Sequence, residues 1–265
     1  MLGIGSSKPN FELVAHGKHP AFDDYFSLNT DSPLAKALSA WVENGAKLNG
    51  NNPKNKLIRS YRFWVRGIKK GEIVLGIIRD SSDRMGRFYP LLLLAKGIVK
   101  NWEEHWNYIF KRFDTIFRAL EEVAASRYEN FREFETKLIQ IRSPEVSVTP
   151  GPVDKTRGES RLPDKMKDWF EKEGESGVLR LSMATLLNRI EASSGKPARS
   201  RWGLFKKKPR VPSVVFQGGL PENPELSIYA RPLKTEDFFD LFNIPIGSEP
   251  MGDPLFDKGG TTDGH

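Results

Sequence analysis

The chain has no cysteine among its 265 residues. That excludes disulfides, thiolate metal sites and cysteine nucleophiles, and it agrees with a reducing compartment. Long apolar runs are also missing. A membrane-spanning helix needs roughly 18 or more consecutive apolar residues, and the longest strongly hydrophobic block here is Leu91 to Ala95. The opening residues, MLGIGSSKPN, have neither the charged nor the apolar region of a signal peptide. A soluble, unexported, cytoplasmic protein is the expectation. No phosphate-cradling glycine loop is present either.

Charge of one sign is in excess, at a formal +7, so its placement matters. Seven basic residues, Lys196, Arg199, Arg201, Lys206, Lys207, Lys208 and Arg210, fall in one segment with no acid among them. Removing those seven from the 41 basic residues leaves 34, equal to the 34 acidic residues. A duplex-binding domain spreads its phosphate contacts over a folded face, so no specific nucleic acid is expected. Arg201, Trp202, Phe205, Lys206, Lys207 and Lys208 combine cations with aromatic anchors. Residues 196–210 are therefore a solvated loop, a dock for an acidic protein or an anionic membrane surface, or a nucleic-acid contact without sequence specificity, and the aromatic anchors favour the dock over pure solvation.

The length suits one core, or one core with a smaller appended unit. Phe11 to Ala15 reads as a first strand, and Leu34 to Leu48 as a helix opened by Pro33 with Asp31 or Ser32 as its cap. Ser60 to Arg66 alternates apolar and polar residues, and Gly67 to Gly71 can turn it back into Glu72 to Ile78 as an antiparallel hairpin. Apolar residues from Trp102 to Val123 recur at steps of three and four, which predicts one helix over 101–127, followed by a shorter one over 130–141. Helices are predicted over 164–173 and 178–190, short strands over 214–217 and 226–230 around a GGLPENP turn, and a helix over 235–242. The expected organisation is an α/β region over 1–141, a helical and short-strand portion over 142–245 packed on the same domain, and a flexible tail over 246–265. Residues 142–163 read as a linker or an irregular excursion. The sheet is expected to be mixed, at least partly antiparallel, and covered by helices.

Two dense clusters stand out. Asp80 to Pro90 (DSSDRMGRFYP) places acids, arginines, serines and Gly86 between two apolar strand-like runs, which makes it a sheet-end loop. Gly86 supplies a position where positive φ is free, and Arg84 and Arg87 carry forked donors. Either the loop is an internal ion-pair knot, with Asp83 bonded to Arg84 or Arg87, or its arginines face outward toward an anionic group. Gly17 to Phe26 (GKHPAFDDYF) is the second cluster.

His16, His19, Asp23 and Asp24, with Asp83, offer imidazole and carboxylate ligands of the kind zinc, manganese or iron takes, the basis for an alternative reading as a small metal-dependent hydrolase. The spacing argues against it, because His16 and His19 diverge at a strand end and Asp23 and Asp24 point apart in an extended segment. Ser81 and Ser82 have no elbow to activate a nucleophile. The chain is therefore expected to be no enzyme and to carry no cofactor.

Taken together, the two clusters resemble the signatures of the TagF family, also called ImpM, of type VI secretion accessory proteins. Gly17, Lys18, Pro20 and Asp24 match a Gly-Lys-Leu-Pro, two variable residues, Gly-Asp-Phe pattern. Ser81, Asp83, Arg84, Gly86, Arg87, Pro90 and Leu91 match Ser-x-Asp-Arg-x-Gly-Arg-x-Phe-Pro-Leu. His19 stands where the family has Leu, Asp23 replaces its glycine, and Tyr25 and Tyr89 replace phenylalanines. The resemblance covers residues 10 to 125 well. It implies a three-layer α/β/α sandwich in the cytoplasm that restrains assembly of the secretion machine after translation, through secretion-system proteins that include a forkhead-associated scaffold protein.

Overall fold

In the computed structural model, which describes residues 11–49, 58–141, 162–173, 177–186 and 210–242, eight strands form one sheet. They are β1 (Glu12–Gly17), β2 (Phe26–Leu28), β3 (Ser60–Arg66), β4 (Glu72–Arg79), β5 (Leu91–Ile98), β6 (Val178–Ser182), β7 (Val214–Leu220) and β8 (Asn223–Tyr229). Their spatial order is β2-β1-β5-β4-β3-β7-β8-β6. All seven pairings are antiparallel, so the mixed sheet expected from sequence is not what forms among the described strands. β2 and β3 run in the same direction and α1 is the crossover between them, but β1, β5 and β4 lie between the two strands in the sheet, so no parallel pair forms. β3 pairs on one side with β4 and on the other with β7, so strands from either side of residue 142 share the sheet.

The central strands are apolar on both faces, and successive side chains split between two cores. On β5, Leu91, Leu93 and Ala95 join one core while Leu92 and Leu94 join the other. The second core is closed by α1 (Pro33–Asn49), through Ala35, Leu38, Trp41 and Val42, and by Phe238, Leu241 and Phe242 of a C-terminal helix (Thr235–Phe242). The first core packs against the helical segments between residues 102 and 139 and against Leu162–Glu173. Ser32 caps α1: its carbonyl accepts from Lys36 N–H at 2.9 Å and its Oγ from Ala35 N–H at 3.4 Å.

Two helix expectations are corrected. The single helix over 101–127 is instead a 3₁₀ stretch (Trp102–Tyr108) followed by α2 (Ile109–Arg112) and α3 (Asp114–Ala125). His105 (φ −126°) and Phe113 (φ −112°) leave helical geometry. The apolar steps survive because 3₁₀ and α geometry both bring residues three or four apart onto one face, and Trp102, Trp106, Ile109 and Phe113 are all buried. α4 (Phe131–Ile139) is capped by Asn130, whose side chain accepts from Glu133 N–H. Val178–Ser182, predicted helical, is strand β6 paired with β8, residues 183–186 take a helical turn, and the rest of the predicted helix, 187–190, lies outside the described residues. The predicted helix over 164–173 is α5 (Leu162–Glu173), and the C-terminal one is α6 (Thr235–Phe242). β7 and β8 extend into the GGLPENP segment, leaving Pro221 and Glu222 as the turn.

Candidate functional site

Both dense clusters sit at one end of the sheet. β1 ends at Gly17, β4 ends at Arg79 and β5 begins at Leu91, and the register pairs Gly17 and Arg79 with Leu91 from either side. The segment after β1 and the segment between β4 and β5 are thus brought face to face by the strand ladder. Gly17 has φ +124°, and a Cβ there would overlap the Pro90 carbonyl oxygen. The first signature glycine is therefore fixed by the last proline of the second signature. Pro20 is the second residue of a turn closed by Phe22 N–H bonding the His19 carbonyl at 2.9 Å, the position where its fixed φ fits.

Asp83 is the hub. Its side chain has no exposed surface. One carboxylate oxygen accepts from Lys18 Nζ at 2.8 Å and from Arg87 Nε at 2.7 Å, and the other accepts from the backbone N–H groups of Met85 at 3.0 Å and Arg87 at 2.9 Å. Burial pushes this carboxyl's pKa up, but the Lys18 ammonium and the Arg87 backbone and side-chain donors outweigh it and hold it well below the usual range. Gly86, at φ +77° with nothing within 4 Å of a Cβ, makes the tight turn, and its N–H bonds the Asp83 carbonyl. The ion-pair knot read from sequence thus closes through Arg87 rather than Arg84.

Arg84 binds the other loop. Its backbone N–H donates to the Phe22 carbonyl at 2.8 Å, and its guanidinium donates to the Ala21 carbonyl and pairs with Asp23 at 3.0 Å. Arg87 also reaches across, donating to the Asp23 carbonyl at 2.8 Å. Asp24, singled out from sequence, is peripheral. It accepts from Tyr25 N–H at 2.9 Å and lies 3.9 Å from Arg87. Asp23, the departure from the family pattern, makes the closer contact, a role that depends on which loop faces it and is invisible in a linear reading. Ser81 contributes its carbonyl to Tyr89 N–H, and Ser82 forms a bridge with Phe88.

The two histidines point to opposite sides of the sheet. His16 Nδ1 lies 2.9 Å from Ser27 Oγ and its Nε2 3.3 Å from Tyr89 hydroxyl, with the Tyr25 ring edge-on. His19 is buried against Phe22, Tyr128 and Phe134, and its Nδ1 accepts from Ala21 N–H at 3.2 Å, which puts its remaining proton on Nε2. Burial drives the His19 pKa down to about 4, against the Ala124 carbonyl, which raises it, and with Arg79 adding to the fall. Hence His16, His19, Asp23, Asp24 and Asp83 do not assemble as ligands, and among the described residues no three His, Cys, Asp or Glu side chains are placed to hold a metal ion.

Sequence reasoning missed the apolar part of this rim. Met85, at the loop tip, is 74 % exposed and Tyr25 45 %. Tyr25 lines a surface pocket of about 190 Å³ together with Phe88 and Tyr89 of the second loop and Glu43, Ala46 and Lys47 of α1. Tyr25 and Tyr89 meet edge-to-face at 5.4 Å. The docking candidates Arg201, Trp202, Phe205, Lys206, Lys207 and Lys208, the 142–161 stretch and the 246–265 tail lie outside the described residues.

The rim's two loops belong to a stretch, residues 15–141, that matches the family model described as TagF N-terminal domain, type VI secretion system-associated. Residues 15–141 are a TagF N-terminal domain. Every bond of the Asp83 hub, and every cross-loop contact of Arg84 and Arg87, lies within it. The TagF N-terminal domain supplies the end of β1, strands β2 to β5 and helices α1 to α4. Across the wider chain, the crystal structure of PA0076 from Pseudomonas aeruginosa PAO1 is similar at a TM-score of 0.51 and 15 % identity, covering 94 % of this chain and 100 % of that one. That likeness extends the fold beyond the TagF N-terminal domain. A comparison with curated proteins finds no match. The domain makes this a type VI secretion-associated protein. Among the described residues no helix is long and apolar enough to cross a membrane.

Proposed function

We propose that this protein is a non-catalytic cytoplasmic accessory of a type VI secretion system, one that restrains assembly after translation by binding secretion-system proteins, a forkhead-associated scaffold protein among them. The observation that carries this reading is how the signature charges are used. Lys18, Asp83, Arg84, Arg87 and Asp23 bond one another and the loop backbones. Such a knot holds a surface in shape, because its carboxylates and guanidinium groups are engaged with one another and with the loop backbones. What the rim offers to a partner is Met85, Tyr25 and the adjoining aromatic pocket, an arrangement suited to seating an apolar anchor. A three-layer arrangement, with the sheet between the two helical sets, is part of the same proposal, supported by the division of the buried residues into two clusters.

The test is capture of secretion-cluster proteins, the forkhead-associated protein included, by the full chain and by Met85→Asp and Tyr25→Asp variants. Both side chains are substantially exposed, so the variants fold, and capture falls by about tenfold or more if the rim is the contact. Undiminished capture by both variants overturns the assignment of the rim, and absence of any captured secretion protein overturns the function. A metal assay with and without chelator checks the non-catalytic part. Stoichiometric metal that withstands dialysis would refute it.

A further inference from the structure

The opposite end of the sheet carries a second surface that the signature loops do not explain. The β3–β4 turn, 67–71, is held rigidly. Glu72 Oε2 accepts from the backbone N–H groups of Ile68 at 3.0 Å and Lys69 at 3.2 Å, Gly71 N–H donates to Glu103 Oε1 at 3.0 Å, and Val99 N–H bonds the Gly71 carbonyl at 2.8 Å. These bonds also tie the end of β5 to the turn. On this fixed tip Ile68 is 87 % exposed, and Ile98, whose β5 position pairs with Glu72, is 59 % exposed. Arg66, Lys69, Lys70 and Lys100 surround them, all exposed, and among the described residues none of the four is in an ion pair. The neighbouring acids are otherwise engaged or few. Glu72 and Glu103 accept from backbone N–H groups, Glu12, itself exposed, pairs with Lys96 at 2.6 Å, and Glu104 is exposed.

We propose that this tip is a membrane-surface contact, with Ile68 and Ile98 entering the interface of an anionic phospholipid bilayer and Arg66, Lys69, Lys70 and Lys100 resting among its headgroups. The chemistry favours lipid over an acidic protein. Protein interfaces are depleted in lysine and anchor through aromatic side chains seated in pockets. Here a branched aliphatic side chain stands clear on a convex turn, ringed by flexible ammonium groups that lie over an anionic surface without needing fixed partners. The rigid turn also means that little conformational freedom is lost on contact. β4 spans about 24 Å from this tip to the signature rim at 3.3–3.4 Å per residue, so both surfaces can be occupied at once.

The test is cosedimentation of the full chain with phosphatidylcholine vesicles, alone or mixed with phosphatidylglycerol, at low and high salt. It is run in the natural sequence and in a background with Lys196, Arg199, Arg201, Lys206, Lys207 and Lys208 all changed to Ser, so that residues 196–208 contribute no cation to the result. Partition onto the anionic vesicles is expected in both backgrounds. It falls about fivefold for each cation removed, hence about 25-fold for Lys69→Ser with Lys70→Ser, and it weakens with salt. Ile68→Ser lowers it about tenfold without changing the salt dependence. Equal binding to both vesicle types, or full binding by the Lys69/Lys70 variant in the neutralised background, overturns the proposal. So does retention on immobilised polyglutamate, sensitive to Ile68, without vesicle partition, which would make the tip an acidic-protein site.

Discussion

Substituting Gly17 by Ala probes whether the two signature loops are held by close backbone approach or by charge alone. At φ +124° an L side chain occupies a sparsely populated conformation at about 1–3 kcal/mol. The new methyl group also meets the Pro90 carbonyl oxygen, which is backbone and sits beside the first residue of β5, so it cannot swing aside as a side chain could. Overpacking of that kind adds about 1–3 kcal/mol, for a combined loss near 4 kcal/mol. For a chain of this size the melting temperature should fall by about 10 °C. Gly86→Ala is the control, because φ there is +77° and nothing lies within 4 Å of a Cβ. Its left-handed conformation costs about 1–2 kcal/mol, partly offset by about 0.4–1 kcal/mol of lost unfolded-state freedom. Urea denaturation followed by tryptophan fluorescence measures both. If the two alanine variants lose stability equally, or Gly17→Ala loses less than about 1 kcal/mol, the close-approach argument fails.

Three further outcomes are expected. His19 is held neutral, its pKa lowered by burial to about 4 from an ordinary value of about 6.5, so above the unfolded value its contribution is complete. As pH falls from about 6.5 to about 4 the unfolded state takes up a proton first, and roughly 3 kcal/mol of stability is lost. His19→Phe, seated among Phe22, Tyr128 and Phe134, flattens that part of the pH profile, and an unchanged slope would refute the assignment. Gly45→Ala should destabilise although alanine favours a helix by about 1 kcal/mol, because its Cβ would overlap the Phe238 ring where α1 meets α6; a net loss of about 1–2 kcal/mol is expected by thermal melting, and a gain would show that the two helices can part. Arg231→Met removes both guanidinium bonds to Asp237, at 2.7 and 2.8 Å, and leaves a carboxylate whose side chain is only 5 % exposed. About 2–4 kcal/mol should be lost, and double substitution with Asp237→Asn should restore part of it.

Local chemistry decided which parts of this fold were legible in the sequence. The β3–β4 hairpin could be read because alternation in Ser60 to Arg66 and the Gly67 to Gly71 turn agree, and α1 because Ser32 and Pro33 mark its start. The helical run from residue 101 was misread because steps of three and four do not separate 3₁₀ from α geometry, and nothing local announces that His105 and Phe113 leave the helix. Val178 to Ser182 has helical spacing yet pairs with β8, where a neighbouring strand outweighs weak propensity. The GGLPENP turn is shorter than it reads. Gly218 serves a close approach to the Ser60 carbonyl inside β7 instead of a bend between strands. At the rim, the family signatures located the two loops, and their composition offered Asp83 either Arg84 or Arg87 as a partner without deciding between them. That Asp23 would take Arg84, that Lys18 would reach Asp83 across 65 positions, and that Met85 would be left bare all depend on long-range register, which composition does not encode.

The pairing of β3 with β7 has a consequence for how the molecule can be divided. Ser60 lies opposite Gly219 and Val65 opposite Val214, so the stretch that carries the family signatures does not close its own sheet. Severed after residue 141, it would present β3 as a naked border of unpaired amides flanked by Phe63 and Trp64, an invitation to stick to another copy. Inheritance and self-sufficiency have different borders in this chain. During synthesis the signature-bearing half must wait for the last strands before its edge is sealed.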